Sequence, residues 1–286
     1  MKRSPLVVLN FGEMLTDELK HQIEDELNRT VDERRIKLAV NALRLTYPQV
    51  LTLVDSIELS ALPTDTIINV PKLSIGAVYL VNEFFARTGV HPIILELTRA
   101  SMDSTTRRFG TLRNLELEVM ETRRRRSTKV VRGESAKNTE SIEHSSLVIL
   151  NFGEPLNQGL KMHMEEMLQR HVDERAVRAS INSAKFAYSQ VLFSMDAIDL
   201  AALPVNVVIN VPRSPLGAIY LVNEFFARTG SHPTILELVR DPLERKVQRF
   251  GTLRNLELAV KETRRMRRSH LVWETAHKIE KGEETA

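Results

Sequence analysis

Residues 6–13 read LVVLNFGE, and residues 147–154 read LVILNFGE. In both, an apolar run suited to a buried strand is broken by a glycine just before a carboxylate. Extended outward, the match aligns residues 6–126 with residues 147–267 at a constant offset of 141, without a gap, with about 68 identities over 121 positions. The landmarks recur in order: IINVP and VINVP, YLVNEFFARTG twice, then RFGTLRNLELEV and RFGTLRNLELAV. A period this long marks a duplicated domain rather than a solenoid repeat. The organisation expected is one α/β unit over residues 1–126, a linker over 127–146, a second unit over 147–268 and a tail over 269–286, the two units forming a covalently linked pseudo-dimer. The linker, STKVVRGESAKNTESIEHSS, is polar, rich in serine and charge, and has no sustained apolar period. The tail carries the only tryptophan, Trp273.

A chain of 286 residues with 42% hydrophobic content can bury two cores of ordinary domain size. The absence of cysteine excludes disulfides, thiolate metal sites and a cysteine nucleophile. Only Met1, Lys2 and Arg3 precede the polar and apolar residues leading into the first strand-like run, too little for a signal peptide or a membrane span, so a cytoplasmic protein is expected. The formal net charge of +3 is unevenly placed, because eight arginines sit in two runs, Arg123 to Arg126 and Arg264, Arg265, Arg267 and Arg268. Without them, 32 basic residues face 37 acidic ones, a balance of −5. Basicity this local, with aromatics at 5%, does not suit a broad non-specific nucleic-acid surface, and no duplex partner is expected.

In the first copy, residues 6–11 read as a strand, and Thr16 caps a helix to about Arg29 with Asp17 and Glu18 in its first turn. A second strand is expected over 35–40, a second helix over 48–57, and a third strand over 66–70 stopped by Pro71. The helix expected over 74–88 is apolar on most of its surface, which demands burial on more than one side, and Gly89 ends it. A fourth strand over 92–97 and a last helix over 112–126 complete the unit. Alternating strands and helices predict an α/β fold with a mostly parallel sheet flanked by helices. Ligands in such sheets bind at the carboxyl ends of the strands, near the point where strand order reverses, which directs attention to the turns after the first, third and fourth strands.

The first such turn holds Asn10, Phe11 and Gly12, repeated as Asn151, Phe152 and Gly153. Asparagine can present donor and acceptor to a base or phosphate, glycine permits close backbone approach, and phenylalanine can stack on a purine. The alternative is an Asx-type turn with its phenylalanine in the core. The second turn holds Asn69, Pro71, Lys72 and Ser74, matched by Asn210, Pro212, Arg213 and Pro215. A helix start capped by Ser74, or by Ser214 ahead of Pro215, together with a cation in both copies, makes a candidate phosphate site. Gly76 alternatively serves only close helix packing. The third segment is Arg113-Asn114, matched by Arg254-Asn255, expected in the first turn of the last helix. An arginine there opposes the helix dipole unless a ligand phosphate or a structural carboxylate faces it.

His91 and His232 are the only histidines shared by the copies; they precede the fourth strand, on the sheet edge opposite the crevice, which favours a turn role over acid–base chemistry. Glu83 with Arg87, and Glu224 with Arg228, sit four apart and can pair along a helix. Neither a shared His-Asp-Ser cluster nor metal-ligand spacing appears, and no cofactor is expected.

The order LVVLNFGExLT, IINVPxLSxGAxxLxxE, RTGxxPIILEL and LxNLEL ending in arginines resembles the small accessory proteins of the Csx group, encoded beside type III CRISPR systems. The resemblance covers nearly all of each copy. It implies a CARF (CRISPR-associated Rossmann) type of unit, pairing as a dimer that binds a cyclic oligoadenylate, typically cyclic tetra-adenylate, across the dimer axis; some relatives cleave the ring and others only sequester it. Two units in one chain then replace two subunits. The ligand role carried over falls on Asn10, Phe11, Gly12, Asn69, Lys72, Ser74, Arg113, Asn114 and their second-copy equivalents. At the position of Ser74 the second copy has Pro215, so a hydroxyl there is not essential on both sides. With no shared general base evident, the expectation is a binding protein that sequesters the messenger; ring cleavage through ribose 2′-hydroxyl attack is the alternative, and an RNA-binding or interaction role for the arginine-ended helices a second one. Pairing of the halves within the chain is expected, and further self-association stays open.

Overall fold

The computed structural model describes residues 4–36, 47–99, 107–115, 117, 120, 146–177, 188–204, 207–240 and 248–262. The first half runs β1 (Leu6–Asn10), α1 (Asp17–Leu27), β2 (Val31–Arg35), α2 (Tyr47–Asp55), β3 (Ile67–Asn69), α3 (Ser74–Thr88), β4 (Ile93–Arg99) and β5 (Arg107–Asn114). The second repeats it as β6 (Leu147–Asn151), α4 (Gln158–Leu168), β7 (Val172–Ala176), α5 (Tyr188–Asp196), β8 (Val208–Asn210), α6 (Pro215–Thr229), β9 (Thr234–Arg240) and β10 (Gln248–Asn255). The linker expected over 127–146, apart from Ser146, both arginine runs and the tail lie outside the described residues.

Each half builds one five-stranded mixed sheet, in the orders β2-β1-β3-β4-β5 and β10-β9-β8-β6-β7. Four strands of each are parallel, and β5 and β10 close one edge antiparallel to β4 and β9. The fold is therefore α/β, with mostly parallel sheets flanked by helices.

Two expectations about local structure need correction. The second strand described is Val31–Arg35, earlier than expected, and residues 37–40 of the strand expected over 35–40 lie outside the described residues. It is an edge strand of sequence VDERR, whose polar outer positions carry no apolar run to announce it, and its register is set by pairing Leu6 with Val31. Residues 112–114 belong to β5 rather than to a last helix, which begins only at residue 115. There, pairing with β4 and packing of the partly buried Phe109 and Leu112 against the α1 cluster override the helical reading.

Alternation along β1 shows how the layers form. Leu6 and Val8 face Leu15, Leu19 and Ile23, whereas Val7 and Leu9, with Phe11 beyond, face α2 and α3. That second core continues without interruption into the other half, through Val148, Leu150, Phe152 and the apolar residues of α6. Helices α3 and α6 pack against each other, with the rings of Phe85 and Phe226 6.3 Å apart. Each is thus covered by its own sheet and by the other helix, which accounts for its nearly all-round apolar surface. Tyr79 of α3 reaches across to donate its hydroxyl to Glu237 of β9, which also accepts from Arg254 Nε at 3.2 Å.

The shared Glu–Arg pairs are structural. Glu83 is fully buried and accepts from Tyr47 Oη at 2.9 Å and from Arg87, which also reaches Asp55 at 2.6 Å. Glu224, Tyr188, Arg228 and Asp196 repeat the arrangement. These bonds clamp α2 to α3 and α5 to α6. Among the described residues no helix is long and apolar enough to cross a membrane.

Candidate functional site

The strand order of each sheet reverses between β1 and β3, and there the carboxyl ends Asn10 and Asn69 are register partners. The chain leaves β1 toward one face and β3 toward the other, so the two following turns border one crevice. Asn69 Nδ2 donates to Asn10 Oδ1 at 2.9 Å and to the Glu13 carbonyl at 3.0 Å. Asn10 Oδ1 also accepts from Gly12 N at 2.9 Å, while Asn10 Nδ2 donates to the Glu13 carbonyl at 2.8 Å and to Glu33 Oε1. All four hydrogen-bonding positions of the Asn10 side chain are therefore occupied within the protein. Asn151 and Asn210 reproduce the network with Gly153, Glu154 and Glu174. Asn10 and Asn151 thus fasten the turn with no spare edge for a base, and Asn69 and Asn210 give both Nδ2 donors to it.

Beneath the turn lies Glu33, which accepts from Leu15 N at 3.3 Å and pairs with Lys20 Nζ at 2.8 Å. Burial alone would raise its pKa, but hydrogen bonds from Lys20, Asn10 and the Leu15 N–H outweigh that and hold the carboxyl below the ordinary range. Glu174 is depressed in the same way, by Lys161, Asn151 and Leu156 against its burial. Glu33 was not singled out in the sequence because it sits on the unannounced edge strand.

Gly12 is required by close approach. A Cβ there would lie 2.6 Å from the Val70 carbonyl oxygen, and one on Gly153 would lie 2.7 Å from that of Val211. The stacking role expected for Phe11 and Phe152 is corrected, since each is 2% exposed and its ring belongs to the shared core. The phenylalanine follows the strand's alternation and ends on the face covered by α2 and α3.

The β3–α3 turn brings Lys72 onto Glu13, and the β8–α6 turn brings Arg213 onto Glu154. Pro71 and Pro212 are buried beneath these exposed cations. Ser74 is not the expected cap: Leu73 occupies that position, and the Ser74 hydroxyl donates to the backbone carbonyl of Arg213 in the other half. In the second copy Ser214 caps α6, accepting from Gly217 N at 3.3 Å, with Pro215 following. Contact near the helix starts, through Ser74 and Arg213, and near the ends, through Phe85 and Phe226, means that α3 and α6 run side by side in the same direction. Their amino termini lie together beside the two cations, although the two starts differ: α6 opens with Pro215, which has no N–H, and its Gly217 N–H is taken by Ser214.

Comparison with protein-family models and with curated proteins finds no match.

The third expected segment lies elsewhere. Arg113 Nε donates to Glu96 Oε2 at 2.6 Å, and Arg254 pairs with Glu237, so a structural carboxylate faces each arginine. Asn114 Oδ1 accepts from Leu117 N at 3.1 Å and Asn255 Oδ1 from Leu258 N at 2.9 Å, capping the helix that follows. Asn114 is the register partner of Ile93, at the amino end of β4, and β4 separates β5 from β3. Arg113, Asn114, Arg254 and Asn255 are thus not brought to the crevice. His91 and His232 lie at the same amino-terminal edge, buried against Phe85 and Phe226 with ring centroids 4.4 Å and 4.3 Å apart.

What the crevice assembles is two helix amino termini, Lys72 and Arg213, two glycine turns that let backbone approach closely, and the carboxylates Glu13 and Glu154. Such a set can hold an anion bearing more than one phosphate. The carboxylates were legible only as the last letter of LNFGE; their apposition to the cations depends on the β1–β3 pairing. Among the described residues no group of His, Asp and Glu is arranged to hold a metal ion.

Proposed function

We propose that the two halves pair about an approximate two-fold axis between α3 and α6 as Rossmann-like, CARF-like units, and that the chain binds a cyclic oligoadenylate, cyclic tetra-adenylate first among them, where the two sets of turns meet. On this reading the protein is a Csx-like accessory protein that sequesters the messenger and so regulates type III CRISPR antiviral signalling. The observation that carries it is the Ser74 hydroxyl on the Arg213 carbonyl, which joins the two phosphate-type turns of the duplicated unit. A ring of four phosphodiesters has the repeated negative charge and internal symmetry that paired helix starts and paired cations match.

The phosphates meet Lys72, Arg213, the first N–H groups of α3 and the Leu216 N–H of α6, while Gly12 and Gly153 let the two turns lie close against the Val70 and Val211 carbonyls. Asn10, Asn69, Asn151 and Asn210 position these turns from below. Fusion makes the pairing of the halves intramolecular, so the site persists at dilutions that would separate two subunits.

Equilibrium titration of the full chain with labelled cyclic tetra-adenylate, followed by chromatography of the bound nucleotide, tests the reading. One intact ring per chain is expected, and Lys72→Ala with Arg213→Ala weakens binding while leaving the unfolding transition in place. Linear products in excess of protein would replace sequestration by cleavage. Failure of the ring to bind, with RNA bound instead in a strongly salt-dependent way, would move function to the arginine runs.

A further inference from the structure

Each cation at the crevice already carries a counter-ion. Lys72 lies on Glu13 and Arg213 on Glu154, so the two pairs together sum to no net charge. Closed pairs of this kind offer a polyanion little attraction, because each approaching phosphate meets a carboxylate as well as a cation.

The construction separates a held backbone from a releasable side chain. The carbonyl of Glu13 accepts from both Asn10 Nδ2 and Asn69 Nδ2, at 2.8 and 3.0 Å, and that of Glu154 accepts from Asn151 and Asn210 at 2.8 and 3.2 Å. The main chain at both positions is therefore pinned to the strand ends. The Glu13 and Glu154 side chains, by contrast, are 49% and 38% exposed, and their partners 64% exposed. Exchange of one partner for another in so wet a setting costs little. The same arrangement stands in both copies, although the cation is lysine in one and arginine in the other.

Resting on the cyclic oligoadenylate reading, we propose that Glu13 and Glu154 are built-in counter-charges that set the affinity threshold of the site. In the ligand-free chain they hold Lys72 and Arg213 over the turns. On binding, ligand phosphates take both cations, and the two carboxylates swing to water about their fixed backbone. No covalent step is involved. A small anion engages one cation and leaves again, whereas a ring that reaches both turns holds the second cation at high effective concentration once the first is exchanged. The carboxylates thereby raise the concentration at which any anion occupies the site, and the multiply charged ring clears that threshold.

The test compares the full chain with the E13Q, E154Q and E13Q/E154Q variants, titrated with cyclic tetra-adenylate at low and moderate salt. Glutamine keeps shape and polarity and removes only the charge. The double variant is expected to bind the ring on the order of tenfold more tightly, with a steeper fall in affinity as salt rises, and each single variant to give about half that change on a logarithmic scale. Inorganic pyrophosphate is expected to compete against the ring more effectively in the double variant than in the parent chain. If the parent chain binds the ring and the double variant binds it equally or more weakly, the threshold role is overturned while the ligand reading stands. If neither binds although both keep the same unfolding transition, the ligand reading falls and the threshold with it.

Discussion

Asn69 Nδ2 donates to Asn10 Oδ1 at 2.9 Å, joining the carboxyl ends of two neighbouring strands whose residues are 59 positions apart in the chain. The bond recurs at 2.9 Å between Asn210 and Asn151. It locks the first crevice turn to the third strand, and with it Glu13 to the neighbourhood of Lys72.

Asn10→Ala strips Gly12 N, Asn69 Nδ2 and Glu33 of a shared buried partner. Loss of about 1–3 kcal/mol of stability is expected, read as a lowered urea midpoint at unchanged slope. An unshifted midpoint would show that the turn holds without its fastener.

Two glycines separate stability from site shape. Gly12→Ala forces a Cβ against the Val70 carbonyl oxygen, a backbone atom with little room to yield, and is expected to cost about 1–3 kcal/mol and to displace the crevice turn. Gly89→Ala meets no atom within 4 Å, yet its φ of +76° strains any L side chain by about 1–2 kcal/mol. Titration with cyclic tetra-adenylate should weaken for the first and hold for the second once both are compared in their folded range; equal losses would count against a special role for the first turn.

Acid should loosen the same region. Glu33 and Glu174 have folded pKa values below their unfolded ones, so their contribution is present above the ordinary carboxylate range and is lost as pH falls through the depressed folded values. Glu33→Gln with Glu174→Gln is therefore expected to be destabilised near neutral pH and to converge on the parent chain only in acid, as the depressed folded values are passed. Urea midpoints measured from pH 7 to pH 3 check this, and a gap that stays constant with pH would contradict it.

The bond from Tyr79 to Glu237 spans the halves. Burial, the Glu237 charge and the hydrogen bond to it push the phenol well above its usual range, so the hydroxyl stays a donor at all working pH values. Tyr79→Phe keeps the ring and is expected to cost about 1.5–3 kcal/mol, as a bond to a charged acceptor. Since Arg254 shares the same carboxylate, Tyr79→Phe and Arg254→Gln should be non-additive by at least about 0.5 kcal/mol in thermal unfolding; additive losses would show the two contacts to be independent.

Much of the fold was legible in the residues. Apolar runs broken by Gly12 and Pro71, the Thr16 cap, the Gly89 stop and the all-round apolar third helix are local signals, and each element they announce is present. Signals that depend on partners were not legible. VDERR became β2 only because Leu6 offers a register, and residues 112–114 became strand because β4 lies alongside. Phe11 and Arg113 show the same limit at the candidate site: one ring turns into the core by strand alternation, and one arginine meets Glu96 across a ladder.

By itself, then, the sequence determined that one α/β unit occurs twice, which turns end its strands, and that a cation follows the third strand in both copies. Tertiary structure alone decided that Asn10 and Asn69 spend their side chains on each other, that Glu13 and Glu154 cover the cations, and that Ser74 meets Arg213. The physical reason is that periodicity and capping act within a few residues of the chain, whereas register, helix packing and the pairing of charges are settled between segments that only the folded core brings together.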